Sequence, residues 1–256
     1  MPTVFSIITV VYNGSSLLPG TIDSVRRQTY PHIEYLIIDG NSTDGTVDII
    51  RKYAAEMPNL RWISEKDRGL YDAMNKGLRM ATGDFVWFLN GGDHFHEPGT
   101  VEKIAGLVSP ETGVLYGETL LVDDTRNPIG TMSELSTRTL PARLQWRDYL
   151  GGMLVVHQSF VARRTLAPLY IDGNLCADFD WCIHILKKSS QNVNTGLILS
   201  DYLAGGISKK RHRQSLLDRF TVMRKHFGWL ATILAHGKII LRAGWHRIKR
   251  RKQARY

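Results

Sequence analysis

Cysteine is scarce in this chain: Cys176 and Cys182 are the only two in 256 residues. That excludes a disulfide framework and suits a reducing compartment such as cytosol. Long apolar runs are missing too. The longest, within FGWLATILAHGK (227–238), is interrupted at His236 and Lys238, far short of a bilayer span. Pro2 and Thr3 lead straight into VFSIITVV (4–11), with no basic n-region or small-residue cleavage pattern, so no secretory leader is expected. Acid nearly vanishes after residue 206: positions 207–256 hold 15 Lys/Arg and one acid, Asp218. The first 206 residues hold 18 Lys/Arg against 23 Asp/Glu, so the net charge of +9 averages a mildly acidic body and a strongly basic tail. Two common nucleotide signatures also fail. GNSTDGTV (40–47) has the glycine spacing of a P-loop, but Thr46 stands where the lysine is required, and no GxGxxG follows the first apolar run.

What is present is an α/β pattern. With 43% hydrophobic residues the chain can bury a sizeable core, and its length fits one large α/β domain or one domain with an appendage. Strands are expected at 4–11, 33–39, 60–64 and 85–90, and helices at 15–28, 42–57 and 70–81. Pro19 is tolerated in a first helical turn. Near-continuous apolar strands separated by helices indicate a mostly parallel sheet covered on both faces. Further on, 114–122 and 151–162 read as strands and 177–188 as a helix. Residues 123–149 show no clear periodicity and are expected to approach a substrate. After Gly205-Gly206 the chain reads as helical to its end.

Ligands of open parallel sheets bind beyond the carboxyl ends of the strands. Strand one ends at Thr9–Asn13, strand two at Asp39, strand three at Glu65–Arg68 and strand four at Asn90–Asp93. All four polar clusters should converge on one edge. Asp44 reads as a helix cap, whereas Asp39, at the strand end itself, reads as a ligand contact.

These residues resemble a known family. TVVYNG, IIDGNSTDGT, SEKDRGLYDAMNKG, TGDFVWFLNGGD, VVHQSF and ADFDW are similar, in order, to family-2 glycosyltransferases of the GT-A fold, from residue 5 to about 210. The resemblance implies a nucleotide-sugar donor, usually a UDP-sugar, a divalent metal (Mn²⁺ or Mg²⁺), and inverting, hexosyltransferase-type transfer to an acceptor hydroxyl. By the family's pattern Thr9, Val11 and Tyr12 would line the nucleoside pocket. Asp39 would bind base or ribose, Asp67 and Arg68 would sit near base and diphosphate, and Asp178 would be the catalytic base. The expected division is a GT-A domain over 1–206, with a nucleotide-binding half (1–93) and an acceptor half (94–206), followed by a basic helical tail (207–256).

The family's metal motif, DxDD or DxD, is represented here by Asn90, Gly91, Gly92 and Asp93. Only the last carboxylate survives. One protein carboxylate can suffice for a hard cation when phosphates and water complete its shell, and Gly91 and Gly92 would let a diphosphate approach the backbone. A plain turn is the competing reading. His157 is similar to a family histidine near donor or metal; a satisfied buried histidine is its alternative. His94 and His96 read as supporting or surface residues. Asp178 could instead cap its helix, and Asp180 should face elsewhere. Lys76 is either a solvated charge or a phosphate contact.

The tail, with Trp229 and Trp245 among many cations, suits an anionic membrane surface; a docked amphipathic helix is the bland reading. No nucleic-acid partner is expected, because aromatics are not interleaved with the cations across the body. Together these features imply a cytoplasmic enzyme, peripheral on the inner face of the membrane. By the family resemblance its acceptor would be a glycan or lipid-linked sugar of cell-surface polysaccharide or glycolipid biosynthesis. A catalytically weak nucleotide-sugar-binding protein is the alternative.

Overall fold

The computed structural model describes residues 2–205, 211–239 and 241. The first half alternates as the pattern requires. β1 (Phe5–Val11), α1 (Leu18–Arg26), β2 (Ile33–Asp39), α2 (Thr46–Glu56), β3 (Leu60–Ser64), α3 (Leu70–Met80) and β4 (Phe85–Phe88) follow in turn. β1 pairs in parallel with β2 and β4, and β2 with β3. Pro19 does lie in the first turn of α1. β1 is buried along its length. Its side chains divide by the twofold period of a strand: Ile8 and Val10 join one core, Phe5, Ile7 and Val11 the other. The sheet is thus covered on both faces. Gly77 of α3 permits that packing; a Cβ there would lie 2.4 Å from the Ile8 Cγ2.

The second half departs from the expected pattern. β5 (His94–Phe95), α4 (Thr100–Ala105), β6 (Thr112–Val122), β7 (Pro128–Thr131), α5 (Met132–Leu135), β8 (Phe160–Arg163), α6 (Ala177–Lys188) and β9 (Gln191–Leu203) complete the body. The nine strands run β3-β2-β1-β4-β8-β6-β9-β5, with β7 beside β6. β4–β8 and β6–β8 are antiparallel, so the sheet is parallel in its first half and mixed beyond it. The strand expected at 151–162 is a correction. Only its end enters β8; before it, 3-10 turns at Trp146–Gly151 and His157–Ser159 leave the ladder. β9, thirteen residues long, was not foreseen.

The helical reading of the tail holds for α7 (His212–Phe227) and for 229–239. Residues 206–210 lie outside the described residues, as does Trp245. α7 docks on α6. Asp180 on α6 is buried and accepts from Lys225 at 3.0 Å and His226 at 2.7 Å.

Candidate active site

The strand ends converge on one edge, as expected, and two adjoining cavities open there. The first, about 720 Å³, is lined by Val10, Val11, Tyr12, Gly40, Asn41, Asp67, Arg68 and Leu70 among others. Tyr12 is 67% exposed and forms an aromatic wall at its mouth. Asp67 is pinned by Lys76, 2.6 Å away, which also reaches Glu65 at 2.9 Å. Burial raises the Asp67 carboxyl above its ordinary range, against the pull of Lys76. Lys76 is thus neither a free solvated charge nor a free phosphate ligand. Arg68 is exposed and bonds to Asp72 and Asp172, each at 3.0 Å.

The second cavity, about 460 Å³, shares Val10, Val11, Tyr12 and Leu70 with the first. Its other walls include Asn90, Gly91, Asp93, His157, Gln158, Asp178 and the Tyr202–Gly205 end of β9. Asp93 is 4% exposed. Its Oδ2 accepts from the Gln158 side-chain amide at 2.9 Å and its Oδ1 from the Leu203 N–H at 3.1 Å. Burial pushes its carboxyl up to about 7, against those two hydrogen bonds and the nearby Arg126 guanidinium. Arg126, from the turn between β6 and β7, donates to the Gly92 carbonyl at 2.6 Å. Gly92 has φ +105°, which favours glycine; Gly91 approaches Val11 so closely that a Cβ would lie 3.2 Å from its Cγ2.

A divalent cation fits the donors present. The Nε2 of His157 and the Oδ1 of Asn90 are buried with no hydrogen-bond partner among the described residues. Both residues border the same cavity as Asp93. Burial lowers the His157 imidazole pKa and so favours its neutral, ligating form. Carboxylate, amide oxygen and neutral imidazole together form a donor set that Mn²⁺ tolerates.

Asp178 sits in the first turn of α6 and lines the same cavity as Asp93. Its Oδ1 accepts from the Phe179 N–H at 2.8 Å and lies 3.2 Å from the Tyr71 hydroxyl. The helix-end bond and the cleft position coexist, so the two readings of Asp178 are not exclusive. Asp180 points away, into the α6–α7 seam, where its carboxylate, His184 and His226 form a compact group separate from the cleft.

Two expected contacts sit elsewhere. Thr9 is fully buried; its hydroxyl donates to the Leu89 carbonyl at 2.7 Å and lies 3.1 Å from the Tyr35 hydroxyl. It braces β1 and does not line the cavity. Asp39 is fully buried too. It accepts from the Ser42 N–H at 3.0 Å, from the Ser42 hydroxyl, and from the Ser64 hydroxyl at 2.6 Å. As it stands, Asp39 shapes the loop after β2 and reaches neither cavity wall. Asp44 does cap, accepting from the Thr46 N–H at 3.1 Å, although Gly45 is the N-cap residue. His96 bonds Asp201 at 2.7 Å, a supporting contact. Gln158, Tyr71, Arg126 and the end of β9 were not foreseen; Gln158 is adjacent to His157 in VVHQSF, the one signal that could have raised it.

A parallel strand edge, a lone carboxylate after β4 and a second carboxylate lining the same cleft suit a glycosyltransferase of GT-A architecture. Residues 6–167 match the family model described as Glycosyl transferase family 2, and the chain belongs to that family. A PGL/p-HBAD biosynthesis glycosyltransferase of Mycobacterium tuberculosis is 37% identical over 195 residues, covering 72% of this chain and 70% of the relative. An uncharacterized glycosyltransferase of the same organism is 38% identical over 223 residues, covering 82% and 78%. Among solved structures, a Pyrobaculum calidifontis mannosyltransferase in complex with GDP-Man and Mn²⁺ superposes with a TM-score of 0.70 at 19% identity, covering 94% of this chain and 70% of that one. Staphylococcus aureus TarS 1-349, in complex with UDP-GlcNAc, gives 0.68 at 18%, covering 86% of this chain and 64% of that one. At such identities the likeness is one of fold.

Proposed function

We propose that this glycosyltransferase transfers a sugar, with inversion, from a nucleotide-sugar donor, a UDP-sugar, to the hydroxyl of a glycan or lipid-linked acceptor. One observation carries the reading: Asp93 and Asp178 line a single cavity, which shares Val10, Val11, Tyr12 and Leu70 with the cavity walled by Tyr12, Asp67 and Arg68. The base and ribose would occupy that first cavity, beside Val11 and Tyr12. The diphosphate would run over Gly91 and Gly92 toward Asp93, with Arg68 at its flank. A divalent cation, held by Asp93 and His157, would neutralise charge on the departing diphosphate.

Asp178 accepts the acceptor's proton as its oxygen bonds to the anomeric carbon. The bond from that carbon to the diphosphate breaks with its electron pair staying on the diphosphate. An ordinary carboxylate is adequate, since the hydroxyl acidifies only as the new bond forms. A nucleoside diphosphate leaves without a protonating acid, so one carboxylate suffices where a glycosidase uses two. The names of the relatives, and the donors in complex with the structural neighbours, support a donor of this class. The acceptor would belong to a cell-surface glycan or glycolipid, reached from the cytoplasmic side.

The test is donor turnover. Asp178→Asn should cut transfer by roughly 10²–10⁴-fold while UDP affinity holds within about twofold, because Asp178 does not line the cavity proposed for the base and ribose. Transfer unchanged in that variant would remove Asp178 as base. A product retaining the donor's anomeric configuration, read by NMR, would remove the inverting step.

A further inference from the structure

Among the described residues, fourteen large apolar side chains are exposed, and seven of them fall between 216 and 241: Leu216, Leu217, Trp229, Leu230, Ile233, Leu234 and Leu241. The 229–239 helix is oriented against the usual rule for a surface helix. Thr232 and Ala235 face inward, 0% and 7% exposed, while Leu230 and Leu234 face outward at 80% and 67%. The outward positions 230, 233, 234, 237, 238 and 241 recur at helical spacing, and Lys238 is the one charge among them. This face is not loose. Val222, Met223 and Ala235 belong to the main core, Trp146 stacks on Phe227 at 5.3 Å, and Asp180 pins α7.

We infer that this outward face docks onto an anionic phospholipid bilayer, lying in the interface with Leu230, Ile233, Leu234 and Leu241 toward the acyl chains. Charge selects the occupant. After Asp218 the chain has eleven Lys/Arg and no Asp or Glu. Cations of that density flanking an apolar strip are attracted by anionic headgroups and repel a second copy of the same strip. Trp229, 57% exposed with the Arg224 guanidinium 5.3 Å from its ring, has the amphipathic character of an interfacial residue. No helix among the described residues is long and apolar enough to cross a membrane, so the contact lies on the surface of the bilayer.

The same extension borders the active site. Arg211, Arg213 and Gln214 line a cavity of about 1050 Å³ together with Leu70 and Tyr71, which also wall the cleft. A bilayer against the 229–241 face would therefore engage the same extension whose start lines the cavity next to the cleft, as a membrane-borne acceptor would require. That second step rests on the transfer reading; the docking does not.

Flotation of the full chain with phosphatidylglycerol–phosphatidylcholine vesicles, against pure phosphatidylcholine vesicles, tests it. Binding to the anionic vesicles alone, weakened by salt, is expected. L230E/I233E/L234E should lower the partition coefficient about 100-fold with unchanged melting temperature and UDP affinity, since all three side chains point outward. L107E/I129E, exposed on the body, is the control and should float like wild type. Equal flotation of the triple variant and wild type, or absence of wild-type binding to anionic vesicles, would overturn the docking. So would a wild-type dimer that the triple variant dissociates without any loss of flotation, since the face would then belong to a second copy. Because UDP affinity is read separately, failure to float leaves the nucleotide site standing.

Discussion

Gln158 and Asp93, 65 residues apart in sequence, meet in the wall of the cleft, where the Gln158 amide donates to Asp93 Oδ2 at 2.9 Å. Both are buried, and the Gln158 Oε1 has no partner among the described residues. The pair orients the one carboxylate that remains where the family's metal motif usually holds several. A residue that aims a metal ligand without touching the metal still tunes affinity.

Gln158→Ala should therefore weaken Mn²⁺ binding in the presence of UDP by about 10–100-fold. Calorimetric titration of Mn²⁺ into the UDP-saturated protein checks this. Unchanged affinity would mean the Leu203 N–H alone orients Asp93.

The raised Asp93 pKa gives a pH signature with two signs. Metal needs the carboxylate, so Mn²⁺ affinity should climb as pH rises through about 7 and level off above it. Stability of the metal-free protein should run the other way. A carboxyl whose folded pKa lies above its unfolded value of 3.8 contributes stability that is full below that value and lost as pH rises through about 7. Asp93→Asn should flatten both profiles. A wild-type melting temperature that rises across this window and stays unchanged in its pH slope in Asp93→Asn would contradict the assignment.

Gly77→Ala tests how α3 positions the cleft. Alanine favours a helix by about 1 kcal/mol over glycine, but the new Cβ would sit 2.4 Å from the Ile8 Cγ2, against a fully buried strand. Overpacking of this kind costs about 1–3 kcal/mol and should outweigh the helical gain. The expected result is a fall of a few degrees in melting temperature with weakened UDP binding, since Ile8 lies two residues before Val10 in the cavity wall. A more stable variant would show that α3 can shift freely.

Asp180→Asn should loosen the basic extension. The carboxylate is 4% exposed, and burial alone would raise its pKa; hydrogen bonds from His226 and Lys225 overcome that and hold it below the ordinary value. His226 is buried with it, while Lys225 is half exposed and solvent-screened. Loss of about 1–3 kcal/mol is expected, with faster amide exchange across 212–227 than across β1. Unchanged exchange there would assign the docking to Val222 and Met223 alone.

The first half of the fold was legible because β1, β2 and β4 are mostly apolar and each intervening helix carries one apolar face. That pattern also placed Val11, Tyr12, Asp67, Arg68 and Asp93 on one edge. What failed is instructive. β9 opens on the half-exposed polar run QNVNT, which carries no strand period, so its contact with Asp93 through Leu203, 110 residues away, was invisible. His157 and Gln158 were read within a strand, yet a 3-10 turn presents them to the cleft. Thr9 and Asp39 fall in the closing residues of β1 and β2, but Leu89 and Tyr35 occupy the first and Ser42 and Ser64 the second. Position along a strand is written in the sequence; which polar groups are already paired depends on distant segments.

UDP titration by calorimetry, with Mn²⁺ and then with a chelator, tests the central claim most directly. Binding in Mn²⁺ that falls at least about tenfold on chelation, and that no longer responds to Mn²⁺ in Asp93→Ala, is expected of a metal-assisted nucleotide-diphosphate site at the end of β4. Binding that chelation and Asp93→Ala both leave unchanged would contradict it.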